Sequence, residues 1–100
     1  MLEVVLRPRA EADLDHIAQY TIAEWGQTQA ARYLADLRRQ INFAAEFPDA
    51  GSPAFGLPDQ YRKVRAGMHH AIYRRSDTQL LVVRVIHSSE DVPDEDGDFW

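Results

Sequence analysis

QLLVVRVIH, residues Gln79–His87, is the most β-prone run in the chain: six of its nine residues are Leu, Val or Ile, and Arg84 is its only full charge. Unbroken apolar sequence of this kind predicts a central strand, buried on both faces or nearly so. Upstream lie two further strand-like runs, Tyr61–Ala66 (YRKVRA) and His69–Arg75 (HHAIYRR), separated by a turn at Gly67 and followed by a turn at Ser76-Asp77-Thr78. They carry many more charges, as edge or half-exposed strands do. Before them, Phe47–Gln60 holds three prolines and two glycines in fourteen residues and reads as loop.

The first half of the chain has a different period. Ala10, Leu14, Ile17, Ala18, Thr21 and Trp25 recur at steps of three and four, the mark of an amphipathic helix that Gly26 stops. Thr28 is placed to cap a second helix, with Ala31, Leu34, Leu37, Ile41 and Ala44 or Ala45 as its apolar stripe and Pro48 as its end. Two such helices around one glycine make an antiparallel hairpin whose stripes need a common partner. Leu2–Leu6 is short and β-branched, and it must stop at Arg7-Pro8 because proline cannot donate to a ladder. The order is β-α-α-β-β-β, an α+β fold with an antiparallel-rich sheet packed on an N-terminal helix hairpin.

At 100 residues the chain is one domain, taken here as residues 1–87 with an acidic C-terminal tail, 88–100. The net charge of −5 conceals an asymmetry: the tail carries six acids and no base, leaving the body at +1. Ten of the eleven bases are arginine, whose planar fork favours carboxylate and phosphate partners. The tail is therefore expected to fold over the arginine-bearing sheet and moderate binding there. With no cysteine, no signal-peptide order at the N-terminus and no long apolar run, the expected setting is cytoplasmic, away from membranes.

The residues support little chemistry of their own. His16, His69, His70 and His87 are the only histidines; the adjacent pair points to opposite faces of a strand, no H-E-x-x-H occurs, and no metal or other cofactor is expected. Asp94-Glu95-Asp96-Gly97-Asp98 lacks the glycine and glutamate positions of a calcium loop. No nucleophile elbow or phosphate-binding loop is present. Metal-free RNA cleavage could draw on His70, Tyr73, Arg74, Arg84 and His87, but a +1 body with an acidic tail is a poor phosphate binder, and direct sequence-specific nucleic-acid binding is not expected. Trp25 reads first as closure of the core at the helix turn. Phe99-Trp100, beyond six acids, is either a frayed end or an anchor on the sheet or on a partner.

Four segments resemble the ParE toxins of the RelE/ParE superfamily. They are Pro8-Arg9-Ala10-x-x-Asp13-Leu14-x-x-Ile17; Trp25-Gly26-x-x-x-Ala30-x-x-Tyr33; Phe47-Pro48-x-x-Gly51; and Tyr61-Arg62 through Gly67, Tyr73-Arg74 and Val83–His87. The resemblance covers Val4 to about Asp91 and implies the toxin of a type II toxin–antitoxin pair. Such a toxin inhibits DNA gyrase by binding, with no catalytic residues of its own, and is neutralised by a ParD-like antitoxin wrapped along it. RelE relatives instead cleave mRNA in the ribosome, and a non-toxic antitoxin-binding module is a third reading. The resemblance implies target-binding roles for Arg62, Gly67, Tyr73, Arg84 and His87, although Gly67 also suits a tight turn, Tyr73 a place in the core and His87 the close of the last strand. Trp25, Tyr33 and Leu37, beside the apolar stripes, are the expected antitoxin contacts. The family's usual His-x-Arg-x-Asp after the last strand is here His87-Ser88-Ser89-Glu90-Asp91, with serine in place of arginine.

Overall fold

Pro8 ends one element and starts the next. Its missing N–H closes the first strand, and its fixed φ suits the first turn of a helix. The computed structural model describes residues 1–54 and 56–90. The chain runs β1 (Glu3–Leu6), α1 (Pro8–Trp25), α2 (Gln27–Glu46), a 3-10 turn (Pro48–Ala50), β2 (Ser52–Pro53), β3 (Arg62–Ala66), β4 (His69–Arg75) and β5 (Gln79–His87). Gly26 alone joins the helices. At φ +87° it occupies the left-handed region open to glycine, donates its N–H to Ile22 O and accepts from Ala30 N–H. Thr28 therefore caps nothing: α2 starts at Gln27, with Gly26 at its N-cap and no side-chain cap. Ala30, at 2% exposure, takes the core position expected of Ala31, which is exposed.

The strands form one sheet in the order β1-β5-β4-β3-β2. β1 runs parallel to β5, from Glu3 opposite Gln79 to Leu6 opposite Val82, and all other pairings are antiparallel. β5 is interior, as its apolar run predicts. β4 is a correction: it lies between β5 and β3 and buries Ala71, Ile72 and Tyr73, its charges being confined to its two ends. β2 is a second correction, a two-residue strand inside the expected loop, paired with Arg62 and Lys63. Pro53 is tolerated there because β2 is an edge.

Both faces of the sheet are covered. The helices pack Ala10, Ile17, Leu37, Ile41, Ala44 and Ala45 against Val64, Ala66, Ala71, Tyr73, Leu80, Val82 and Val85. On the opposite face Ile72, Val83 and Ile86 lie under Ala54, Tyr61 and Leu57 of the segment between β2 and β3. Val83 is an extra residue in its strand, since Tyr73 pairs with Val82 and Ile72 with Arg84. Full burial of side chains such as Leu37, Ile72 and Leu80 stabilises the fold by about 1.5–3 kcal/mol each.

β1 stops at Leu6, so among the described residues no strand pairs with the outer edge of β5 beyond Val82. Carboxylates take that place. Asp13 Oδ2 accepts from Val85 N–H at 2.8 Å, and Glu90 Oε1 accepts from His87 N–H at 3.1 Å. The acidic stretch from Asp91 onward and Phe99-Trp100 lie outside the described residues.

Candidate functional site

The Gly26 end of the helix hairpin lies against the β3–β4 turn and the end of β5, leaving a groove of about 580 Å³. His16, Tyr20 and Trp25 of α1 form one wall; Gln29 and Tyr33 of α2, Met68 and His69, and His87 form the rest. Three of these side chains are large, apolar and turned to solvent: Trp25 at 69% exposure, Tyr20 at 67% and Met68 at 58%. Trp25 is thus not core, because the chain reverses at the next residue and leaves the last turn of α1 beyond the sheet. Unpartnered apolar side chains gathered on one surface mark a place where another molecule binds.

Tyr33 builds the floor. Its hydroxyl accepts from Met68 N–H at 3.0 Å, donates toward Ala66 O at 3.2 Å and lies 2.5 Å from His69 Nδ1. Gly67 makes that approach possible, since a Cβ there would sit 2.5 Å from the Tyr33 ring, and its φ of +56° is strained for other residues. His69 stacks edge-on against both Tyr33 and His87, at centroid distances of 5.5 and 5.4 Å. Burial first, and His87 next, hold the His69 imidazole below its ordinary value, while Glu90 and Asp13 pull it back. His87 Nδ1 accepts from Ser89 N–H at 3.1 Å and lies 2.7 Å from Ser89 Oγ.

Two other clusters hold elements together. Arg84 forks onto Asp13, with Nε–Oδ2 at 2.7 Å and Nη2–Oδ1 at 3.1 Å, tying β5 to α1. That hydrogen bond is the main cause raising the Arg84 pKa. Arg62 donates to Gly51 O at 2.8 Å, and the Tyr73 hydroxyl donates to Pro48 O at 2.8 Å, clasping the exit of the hairpin to the sheet. Tyr73 Oη sits where a Gly51 side chain would go, and burial pushes the Tyr73 phenol upward. Among the described residues no three His, Asp or Glu side chains are grouped to hold a metal ion, and no helix is long and apolar enough to cross a membrane.

The sequence matches the model of the ParE toxin of type II toxin–antitoxin systems over residues 4–92. The chain belongs to the ParE toxin family. It is 39% identical to Toxin ParE1 of Caulobacter vibrioides over 84 residues, 84% of this chain and 86% of that protein. It is 38% identical to Toxin ParE1 of Mycobacterium tuberculosis over 89 residues, 88% and 91% of the two chains. The fold is that of the RelE/ParE superfamily. A chain of the chromosomal ParDE TA system from P. aeruginosa aligns with a TM-score of 0.73 at 18% identity, covering 87% of this chain and 96% of that one. A chain of the M. tuberculosis toxin–antitoxin complex RelBE2 aligns at 0.56 and 19%, covering 86% and 96%.

In this ParE-family chain the residues expected to touch partners fall into separate places. Trp25, Tyr33, Gly67 and His87 converge on the groove or its floor. Arg62 and Tyr73 lie opposite each other in the ladder, at the hairpin-exit clasp, and Arg84 is held by Asp13. One expectation of direct contact needs correction and one choice is decided: Leu37 is 0% exposed, and Tyr73, at 2%, takes the core reading over the contact, so neither side chain meets a partner without opening the core. Sequence reading missed Tyr20, Met68 and His69 as groove residues and Asp13 as the partner of Arg84. Tyr20 had a signal, being a large aromatic off the apolar stripe. The others are joined only by tertiary structure.

Proposed function

We propose that this ParE-family chain inhibits DNA gyrase by binding it, and that a ParD-like antitoxin neutralises it by seating apolar side chains in the groove. The observation that carries the reading is the groove itself, with Trp25, Tyr20 and Met68 exposed around a floor of Tyr33 and His69. Exposed aromatic side chains over a preformed pocket are the usual anchors of protein interfaces. The ParDE and RelBE2 neighbours belong to toxin–antitoxin systems, which supports an antitoxin as the occupant. Gyrase contact is assigned to the His87 corner, with Arg62, Gly67, Tyr73 and Arg84 holding the surrounding strands in place.

A second reading has one specific observation behind it. His69 and His87, 5.4 Å apart beside Tyr33, resemble the acid–base pair of a metal-free ribonuclease. Against it, Arg84, the arginine on the His87 strand, is committed to Asp13.

The test is a gyrase supercoiling assay beside a translation extract, with parent protein and a Tyr20→Ala/Trp25→Ala variant measured for binding a ParD-like antitoxin. Supercoiling is expected to stop while translation continues, and the variant is expected to lose antitoxin affinity by about tenfold or more with unchanged thermal stability. Loss of translation with intact supercoiling would transfer the reading to RNA cleavage. Undiminished antitoxin affinity would remove the groove from it.

A further inference from the structure

Charge in the groove at the Gly26 end of the hairpin rests on imidazole. Of the ten side chains that line it none is Asp, Glu, Lys or Arg, whereas three of the chain's four histidines, His16, His69 and His87, are among them. The groove is therefore uncharged while these rings are neutral and cationic when they are not. Two of them act as a pair. His69 and His87 meet edge to plane, with centroids 5.4 Å apart and an interplanar angle of 80°, and both are half-buried. Imidazoliums that close repel, so a proton on one ring disfavours a proton on the other.

The surroundings offer such a proton little. From α2 the Tyr33 hydroxyl meets His69 Nδ1, and His70 on the same strand adds like charge. Two carboxylates lie near, Asp13 of α1 and Glu90 beyond β5, and each is already engaged. Asp13 holds the Arg84 guanidinium and Val85 N–H, and Glu90 accepts from His87 N–H. Their attraction does not cancel burial and His87, and the net effect on His69 is downward. The same carboxylates disfavour an acidic occupant, while a basic one finds no acid among the lining residues. What remains is neutral and apolar, which suits Ile17, Tyr20, Trp25 and Met68 on the walls. Covering the rings with such a group takes more water from them and penalises the imidazolium further.

We propose that the groove takes only an uncharged, apolar segment of its partner, and that seating it expels protons from the His69–His87 pair, so that the complex loosens as pH falls. This rests on the reading of the groove as the seat of an antitoxin, and adds the chemistry of the segment that fills it and the condition under which that segment leaves. Binding and protonation are reciprocal: neutral rings favour the occupant, and the occupant favours neutral rings by the same factor. Each imidazole that must be neutral weakens binding by up to about tenfold for every pH unit below its midpoint.

The experiment uses Nile red, an uncharged dye that fluoresces in apolar surroundings, as the occupant. Its affinity for the full chain is expected to fall by about threefold or more between about pH 7.5 and pH 5.5, and His69→Gln/His87→Gln is expected to level the profile. NMR titration of the parent protein supplies a readout without any substitution. Saturating dye is expected to lower the His69 midpoint further, while His70, which does not line the groove, holds still. A level profile in the parent would overturn the proposal, as would affinity that rises with acid, the mark of an anionic occupant. So would an equal displacement of His70, or a dye that binds Tyr20→Ala/Trp25→Ala as tightly as the parent. Antitoxin affinity at a fixed pH is a separate readout. A level dye profile would leave the antitoxin in its groove, whereas an antitoxin indifferent to Tyr20→Ala/Trp25→Ala would leave the dye profile as it is.

Discussion

Gly67 and Tyr33 depend on each other. The glycine holds a left-handed turn, and the tyrosine ring lies where any other residue there would place its Cβ. Replacing Gly67 by alanine therefore meets two obstacles, a strained φ and a clash with the floor of the groove. Gly67→Ala is expected to lower folding stability by about 1–3 kcal/mol, read from urea denaturation. A loss within experimental error would show that the turn repacks freely. The turn at Gly67 is legible in the sequence, because Gly between two strand-like runs has few other uses. The dependence on Tyr33 is not, since the residues are brought together only when α2 lies on β3. Trp25 and Leu37 make the same point. Both follow the helical period, yet one is at the tip of the hairpin, beyond the sheet, and the other over its centre, and periodicity does not report where a helix overhangs its support.

Elements are legible in the sequence wherever a pattern is long enough to carry a period. Both helices and the three strands from residue 61 onward follow from it, whereas β2 has two residues, one of them proline, and offers no period at all. β4 misleads for another reason: four charged or titratable residues at its ends outweigh the Ala-Ile-Tyr centre that is actually buried. The link between α1 and β5 is the element-scale feature most open to test. Asp13 serves Arg84 with two oxygens and the Val85 amide with one of them, in place of a strand that ends too early. Asp13→Asn keeps the shape, removes the charge and takes from the guanidinium its two-oxygen carboxylate partner. The expected cost is about 1–3 kcal/mol, seen as a lower thermal midpoint. Arg84→Met in the same background is expected to recover part of it, because the part-buried charge that has lost its carboxylate is then gone. No recovery would mean that the Val85 amide, and not the ion pair, is what the carboxylate secures.

For the molecule as a whole, the depressed His69 makes stability depend on pH in a fixed direction. Its folded-state value lies below that of the unfolded chain, so between the two the unfolded chain binds more protons. The stabilisation is present above about pH 6.5 and is lost as pH falls through that value toward the folded one. Urea midpoints are expected to drop between about pH 7.5 and pH 5.5, and a His69→Gln variant is expected to flatten that slope. An equally steep slope in the variant would place the dependence elsewhere. The sheet's connectivity also governs timing. β1 is the first strand made and β5 the last, and they are direct neighbours, with the whole helix hairpin enclosed between them. The helix stripes lack Leu80, Val82 and Val85 until β5 arrives, and joining β1 to β5 requires the largest loop closure among the described strands. On the ribosome, then, the complete sheet and its groove are expected to form only once residue 87 has emerged from the exit tunnel. Translation itself thereby imposes an interval during which the newly made chain has no groove to offer a partner.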